Sequence, residues 1–573
     1  MKINKIIILG IVLVASFSSC SKRLDSLLDD PNAPSPSTAD VDLYLNQVQL
    51  SFNSFQNSCS DYGAQLARQQ MMYGPLYRNA YQPATFDGIW ETAYTGVIKN
   101  ADALIPLAQG QKKYINSGIA KVLKAYTYGT LVDFFGDVPF AEANLGAENT
   151  NPKVDPGATV YAGVLALLDD AIVDFGKTSA AKPKNDMFYA GSASNWITLA
   201  KTLKLKFLMQ ERLVTDVKSK VQALMTENDL IKTAAQDFVF KYGTSVSAPD
   251  TRHPHYAGNY VHSGGPGDYL SNYFMWLVGA QKWGGTMNIS NTSNSATDGD
   301  PRLRYYFYRQ VLSSAAANSE TLPCYNGSVF GAGGGSGVPS WYPSVPDETP
   351  YCYIGKGYWG RDHGDNTGAP PDGNYRTTWG IYPAGGRYDN NDGEVVDIGA
   401  GAGGRGISPI WLSSFTYFLE AEAAKVLAIS VNGDAKTLML KGVDESIKKV
   451  TGFPAAVGQQ PAVNPNLSDQ ITNYESLVAD IYDNSSDPLD VIMTEYHIAS
   501  WGNGIEPYNN LRRTGKPANV QLDVWQQNVG FFIRSFFYPS VFVNRNSNAP
   551  AQKDPGNAVN KVFWDNNPDN FIK

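Results

Sequence analysis

Cysteine, histidine and charge are all scarce in this 573-residue chain, which holds 4 Cys, 5 His and 17% charged residues. The cysteines, Cys20, Cys59, Cys324 and Cys352, form no CxxC pair, which excludes a zinc ribbon and a dithiol redox site. Charge lies below the soluble-protein average of about 25%. The net charge is −8 with a pI near 5.3, so the basic face of a nucleic-acid binder is missing. Beyond the N-terminus no apolar run approaches the ~18 residues of a membrane-spanning helix. Walker A, GxSxG and HExxH sequences are also absent. What is abundant is glycine (53), tyrosine (33) and neutral polar residues. With 12% aromatics, most of the chain has enough apolar material to fold.

The first nineteen residues read as an export signal. Lys2 and Lys5 precede an apolar stretch at 6–14, and Ala15-Ser16-Phe17-Ser18-Ser19 leads to Cys20. That segment resembles a bacterial lipobox, which implies cleavage before Cys20 and lipidation there. Ordinary secretion with cleavage nearby is the alternative. Each buried acyl CH₂ contributes about 0.8 kcal/mol, so several chains suffice for a stable anchor. Residues 20–40, with Pro31, Pro34 and Pro36, form the expected tether. An exported chain permits a Cys324–Cys352 bridge, and the odd count then leaves one thiol free, most simply a buried Cys59.

Helical patterning covers 41–240. Ile119, Val122, Leu123, Tyr126 and Thr130 share one face, as do Tyr161, Val164, Leu165, Leu168 and Ile172. A third helix from Ser194 carries Trp196, Leu199, Ala200, Leu203 and Phe207 on a stripe, with Lys201, Lys204 and Lys206 off it. Such a succession suggests stacked helical pairs of tetratricopeptide-like type, without the 34-residue consensus. Between 241 and 405 the periodicity fades, apart from pieces at 269–281 and 301–312. This insert holds more than half of the 53 glycines and about half of the 33 tyrosines. Long irregular loops of this kind carry function more often than frame does. Helices return over 406–573, with Ser408-Pro409 as an expected N-cap and N1, and further helices near 433–449, 470–483, 489–501 and 519–530.

Several motifs read as structural. Gly399-Ala-Gly401-Ala-Gly-Gly404 matches GxGxxG but opens no helix at once, so a loop is expected. His253, His255 and His262 cluster without zinc-site spacing, and loop histidines are expected. The acidic run 389–394 lacks EF-hand spacing and reads as a turn rather than a calcium site. Asp133 and Asp137 bracket a helix end, where turn and capping duty is expected. The 54 acidic residues identify no glycosidase pair. No cofactor is called for.

The segment from Ala120 through Leu131-Val-Asp133-Phe-Phe-Gly136-Asp137-Val-Pro139 resembles a hallmark of the SusD/RagB family of surface nutrient-binding lipoproteins of Bacteroidetes. Trp90-x₃-Tyr94 with Asn100-Ala-Asp, the Trp196 to Lys206 helix, and Asp300-Pro-Arg302 follow in family order. So do Phe418-Leu-Glu420-Ala-Glu422, Tyr508-Asn-x-Leu-Arg512-Arg513-Thr-Gly515-x-Pro517 and Tyr538-Pro539. The resemblance implies an all-α fold of about four tetratricopeptide-like helical hairpins, with the loop-rich insert forming the ligand face. It also implies an outer-membrane position facing the cell exterior and docking on a SusC-like TonB-dependent transporter.

A sugar site needs flat aromatic platforms with neutral hydrogen-bonding groups around them. The family's sites draw on the loop before the hallmark helix, here Tyr73, Tyr77, Arg78, Tyr81 and then Trp90. The insert adds Tyr269, Trp276, Trp283, Trp341, Trp359 and Trp379 as candidates. The competing reading of each aromatic is core. Trp196 and Trp411 sit on apolar stripes and are expected in the core, while Arg512 and Arg513 are expected to tie helices together. The function expected is non-enzymatic capture of oligosaccharide and delivery to the transporter. A peptide ligand as in the RagB branch, a surface glycoside hydrolase, and an assembly scaffold are the alternatives.

Overall fold

The computed structural model describes residues 40–572, apart from 75, 262–264, 291–293, 313–352, 365–374, 461–463, 522, 524–529, 555–559 and 570. Cys20, His262, Cys324, Trp341 and Cys352 lie outside the described residues. The frame is helical. α1 (Val41–Leu66) starts where the Asp40 carboxylate accepts the Asp42 N–H at 2.9 Å. α2 (Lys99–Gly110), α3 (Tyr114–Phe135), α4 (Gly157–Phe175), α5 (Ala193–Glu211) and α6 (Lys218–Glu227) follow. After the insert come α8 (Ser413–Val426), α9 (Ala435–Thr451), α10 (Leu467–Asn484), α11 (Pro488–Ala499) and α12 (Ile505–Thr514). α7 (Asn272–Gly279) lies within the insert. This is the expected all-α architecture. No helix among the described residues is long and apolar enough to cross a membrane.

α3 is the central element. It is buried along nearly its whole length and on all sides, not on one stripe, because α1, α2, α4 and α5 all pack on it. Cys59 of α1 is a buried free thiol, Trp196 and Trp411 are fully buried, and Gly136 ends α3 at φ 76°.

Several charged side chains inside this frame are held by ion pairs or by hydrogen bonds to neutral groups. Asp133 is fully buried: its Oδ1 accepts from Trp564 Nε1 at 3.1 Å and from the Tyr161 hydroxyl, and its Oδ2 from Asn509 Nδ2 at 2.8 Å. Its backbone carbonyl accepts from Arg512 Nη1 at 2.7 Å. Arg513 forks onto Glu422 at 2.6 and 2.9 Å, and Arg212 reaches the same carboxylate at 2.9 Å. Glu420 takes Lys232 at 2.5 Å. Arg302 is held by Asp300 at 2.7 Å, Glu495 at 3.2 Å and the Tyr474 hydroxyl at 3.0 Å. Asp133 therefore does more than turn and cap; Asp137 does act there, accepting the Gly157 N–H at 2.8 Å.

Four local expectations fail for physical reasons. Ser408 and Pro409 do not start a helix. They lie in β6 (Ile407–Trp411), which pairs with β1 (Phe238–Lys241) in a two-stranded sheet, and such an edge tolerates a residue without an N–H. Lys206 is not on a wet face; it is buried and paired with Glu506 at 2.6 Å. The 301–312 piece is helical only over Leu303–Tyr306, after which β2 (Phe307–Tyr308) pairs with β5 (Thr378–Trp379). Residues 519–521 are not helical, and most of 522–530 is outside the described residues. β3 (Tyr353–Gly355) and β4 (Tyr358–Trp359) complete the short strands. The acidic run is neutralised by arginine: Asp389 pairs with Arg309 at 2.5 Å, while Asp392 and Glu394 pair with Arg387. The glycines at 399–404 form turns.

Two outcomes follow for stability. Asp133→Ala leaves three buried donors without an acceptor and lowers the unfolding free energy by about 3 kcal/mol or more, read from the urea midpoint. At the crossing of α1 and α12, a Cβ on Gly63 would sit 2.3 Å from the Gly504 carbonyl oxygen. Gly63→Ala therefore forces these backbones apart and costs ~1–3 kcal/mol, whereas Gly88→Ala, with open space at its Cβ, leaves the midpoint near that of the parent.

Candidate functional site

Three distant stretches meet at one end of α1. Residues 69–71, leaving α1, bridge to the insert: Met71 N–H donates to Tyr269 O at 3.0 Å, and Ser271 N–H to Gln69 O at 3.3 Å. The insert then folds on itself, with Arg361 N–H donating to Leu270 O at 3.0 Å. The C-terminal part enters through Gln521, whose carbonyl accepts from Arg68 Nε at 2.9 Å. Arg68 is buried, and its Nη2 donates to the Tyr77 hydroxyl at 2.7 Å. Burial and the neighbouring Arg68 charge push His363 well below its usual pKa, so it is neutral. Tyr77 can then donate to His363 Nε2 at 3.2 Å while accepting from Arg68. This polar layer is the floor of the junction.

Near it one aromatic ring is exposed over buried partners. Tyr73 is 58% exposed, its ring 6.3 Å from that of Tyr269. The guanidinium groups of Arg376 and Arg361 lie 4.1 and 4.5 Å from the Tyr269 centroid. Next to it, His255 stands between two carboxylates, Asp268 at 2.9 Å and Asp61 of α1 at 3.1 Å. Its ring stacks on Trp379 at 4.0 Å, and Trp379 stacks on Trp501 at 4.2 Å. Asp268 also accepts from Trp379 Nε1 at 3.0 Å and Asn259 Nδ2 at 2.7 Å. On the far side of Asp61 opens a cleft of about 410 Å³, lined by Ser58, Tyr62, Gln65, Thr85, Ile89 and Thr92 among others. Thr92 begins a widened, π-helical stretch, Thr92–Ile98, and Asn100 Nδ2 satisfies its carbonyls at Thr95 and Gly96, each at 2.8 Å.

Tyr73 is thus the expected ligand residue with the most exposed ring. Tyr77 and Tyr81 are brought to the same junction but are buried, Tyr81 donating to Gln65 at 2.8 Å. Arg78 lies in the short helix Tyr77–Ala80, and its side chain is outside the described atoms. Trp90 is buried against Phe542 and Tyr94, behind the cleft wall. Trp379 is buried beneath His255, and Trp359 is buried with its Nε1 donating to Tyr375 O at 3.1 Å. Trp276 is buried beside Tyr273, and half-buried Trp283 packs near Tyr474 of α10, which does not line the cleft. Asp61, Asp268, Arg361 and Arg376, which the structure brings to this junction, were not singled out by sequence. Only the pairing of His253 with His255 gave a signal, and His253 proves to be the N-cap of Pro254–Asn259, its Nδ1 accepting the His255 N–H at 3.2 Å.

Burial alone would lower the pKa of His255, but the Asp61 charge and the hydrogen bonds to both carboxylates hold it at about 10. Asp268, which burial would raise, is brought down to about 2 by the His255 hydrogen bond. A folded pKa above the unfolded 6.5 means that the His255 contribution is fully present below about pH 6.5 and is lost as pH rises towards 10, while that of Asp268 is lost only as pH falls below about 4. The parent chain therefore loses more stability than His255→Asn between pH 6.5 and 10, as measured by urea midpoints at each pH.

A family model described as SusD-like, "Starch-binding associating with outer membrane", matches residues 31–277. No curated protein matches the sequence. Among solved structures, a SusD/RagB family protein from Bacteroides thetaiotaomicron superposes with a TM-score of 0.63 at 18% identity, covering 92% of this chain and 100% of that one. A chitin-binding SusD homologue from Flavobacterium johnsoniae gives 0.58 at 17%, over 92% and 99%. A SusD homologue from Parabacteroides distasonis gives 0.63 at 17%, over 92% and 98%. The family model thus matches the N-terminal part, and the fold of the SusD/RagB structures is shared along nearly the whole chain.

Proposed function

We propose that this protein is a non-enzymatic, cell-surface lipoprotein, anchored through Cys20, that captures oligosaccharide at the Tyr73 junction and passes it to a SusC-like TonB-dependent transporter. The observation that carries the reading is the exposed Tyr73 ring set against Tyr269, Arg361 and Arg376, with a polar cleft alongside. A pyranose ring offers an apolar face to such a platform, and the hydroxyls of further sugar units would meet the Gln65, Ser58, Thr85, Thr92 and Asp61 side chains that line the cleft. The family description, starch-binding, and the chitin-binding relative support a glycan as the ligand class.

Binding without turnover fits the electrostatics. A glycosidase general acid needs a carboxyl with a raised pKa. At this junction Asp268 is lowered to about 2 and tied to His255, the opposite of that requirement. The transporter partnership and the acyl anchor rest on the family and on the Cys20 segment.

Tyr73→Ala removes the exposed platform without touching the buried floor. Calorimetry with maltooligosaccharides and chitooligosaccharides is expected to show a loss of roughly tenfold in affinity for whichever glycan binds, about 1.4 kcal/mol, with an unchanged urea midpoint. Binding of peptides but of no glycan in the panel would overturn the sugar assignment.

A further inference from the structure

A second cavity, of about 520 Å³, opens where β1 and β6 meet the end of α9, and it shares no residue with the cleft beside Tyr73. Its walls are apolar and in part aromatic: Phe188, Tyr189, Val239, Phe453 and Val457. Its rim is cationic, carrying Lys241, Arg405, Lys448 and Lys449 against a single acid, Asp237. That is a concentration of positive charge in a chain whose net charge is −8.

The acid offsets only one of these four cations. Asp237 is buried and already engaged by Lys449 Nζ at 2.7 Å and the Ser413 N–H at 2.8 Å. Lys448 has Asp444 at 2.6 Å on the outer surface. Lys241 and Arg405 have no carboxylate partner among the described residues. Arg405 is nevertheless positioned, since its Nη1 donates to the Val457 carbonyl at 3.1 Å and so keeps the guanidinium at the mouth. Two unneutralised cations over an apolar slot match a ligand with an anionic head and a flat apolar body.

We infer that this cavity is a binding site for a small organic anion, its carboxylate or sulfonate held by Lys241 and Arg405 and its apolar body lying between Phe188, Tyr189 and Phe453. A neutral glycan would leave both cations without partners, so the two sites select different chemistry.

The test uses the full chain with Cys20→Ser, without detergent, and two fluorescent probes of like shape, the anion 1-anilinonaphthalene-8-sulfonate and uncharged N-phenyl-1-naphthylamine. Saturable one-site binding of the anion, at least roughly tenfold tighter than the neutral probe, is expected from a charge-assisted contact. Lys241→Glu with Arg405→Glu should weaken the anion by roughly tenfold or more. Ala456→Trp, filling the mouth from an exposed position, should abolish binding of both probes, and Tyr73→Ala should change nothing. Equal affinity for the two probes, no saturable binding of the anion, or identical titrations for the parent, the charge-reversed chain with a parent-like melting curve and Ala456→Trp would each overturn the inference.

Discussion

The interaction on which the rest depends is the grip of two adjacent arginines, Arg512 and Arg513, on opposite halves of the helical frame. Arg512 donates to the carbonyls of Asp133 and Arg534, at 2.7 and 2.8 Å, tying α12 to the end of α3 and to the C-terminal segment. Arg513 holds Glu422 of α8 and, through Gln210, α5. Neither guanidinium reaches water. Buried charges are tolerated only when paired and hydrogen-bonded, and once in place they disfavour any other register of the helices. The value of this clamp lies in registration more than in raw stability.

Registration matters because the ligand face is assembled from segments distant in sequence. Tyr73, Tyr269 and Arg376 lie on irregular chain, and the segments that carry them are tied to the end of α1 through short backbone bridges at 69–71, 269–271 and 361. His255 extends this logic. Its charge links Asp61 on the frame to Asp268 in the insert, so one protonated ring joins the scaffold to the loop that presents Tyr269. Gln521 and Arg68 do the same for the C-terminal part.

The frame was legible in the sequence because its determinants are local or recur as motifs. Helical periodicity marked α3, α4 and α5, and Asp133, Arg302, Glu422 and Arg513 stood within recognisable segments. Each of these proves to be a buried partner in an ion pair or hydrogen-bond network. Where a stripe was read, as on α3, its neighbours on every side could not be seen, so all-round burial went unpredicted. The ligand face was legible only as a region. Aromatics in Gly-rich chain look alike in sequence, yet Trp379 stacks beneath His255 while Tyr73 stays exposed, and that difference is decided by contacts more than a hundred residues apart. Asp61, on an ordinary helix face, carried no signal at all.

On the proposed function, a glycan is held at the meeting of α1, the 69–92 segment and the insert. Hydrogen–deuterium exchange of the full chain, with and without a saturating oligosaccharide that it binds, tests this most directly. Added protection is expected in peptides covering 70–92, 265–271 and 359–380. Protection confined to other surfaces, for instance 188–189 and 448–457, with those peptides unchanged would contradict it.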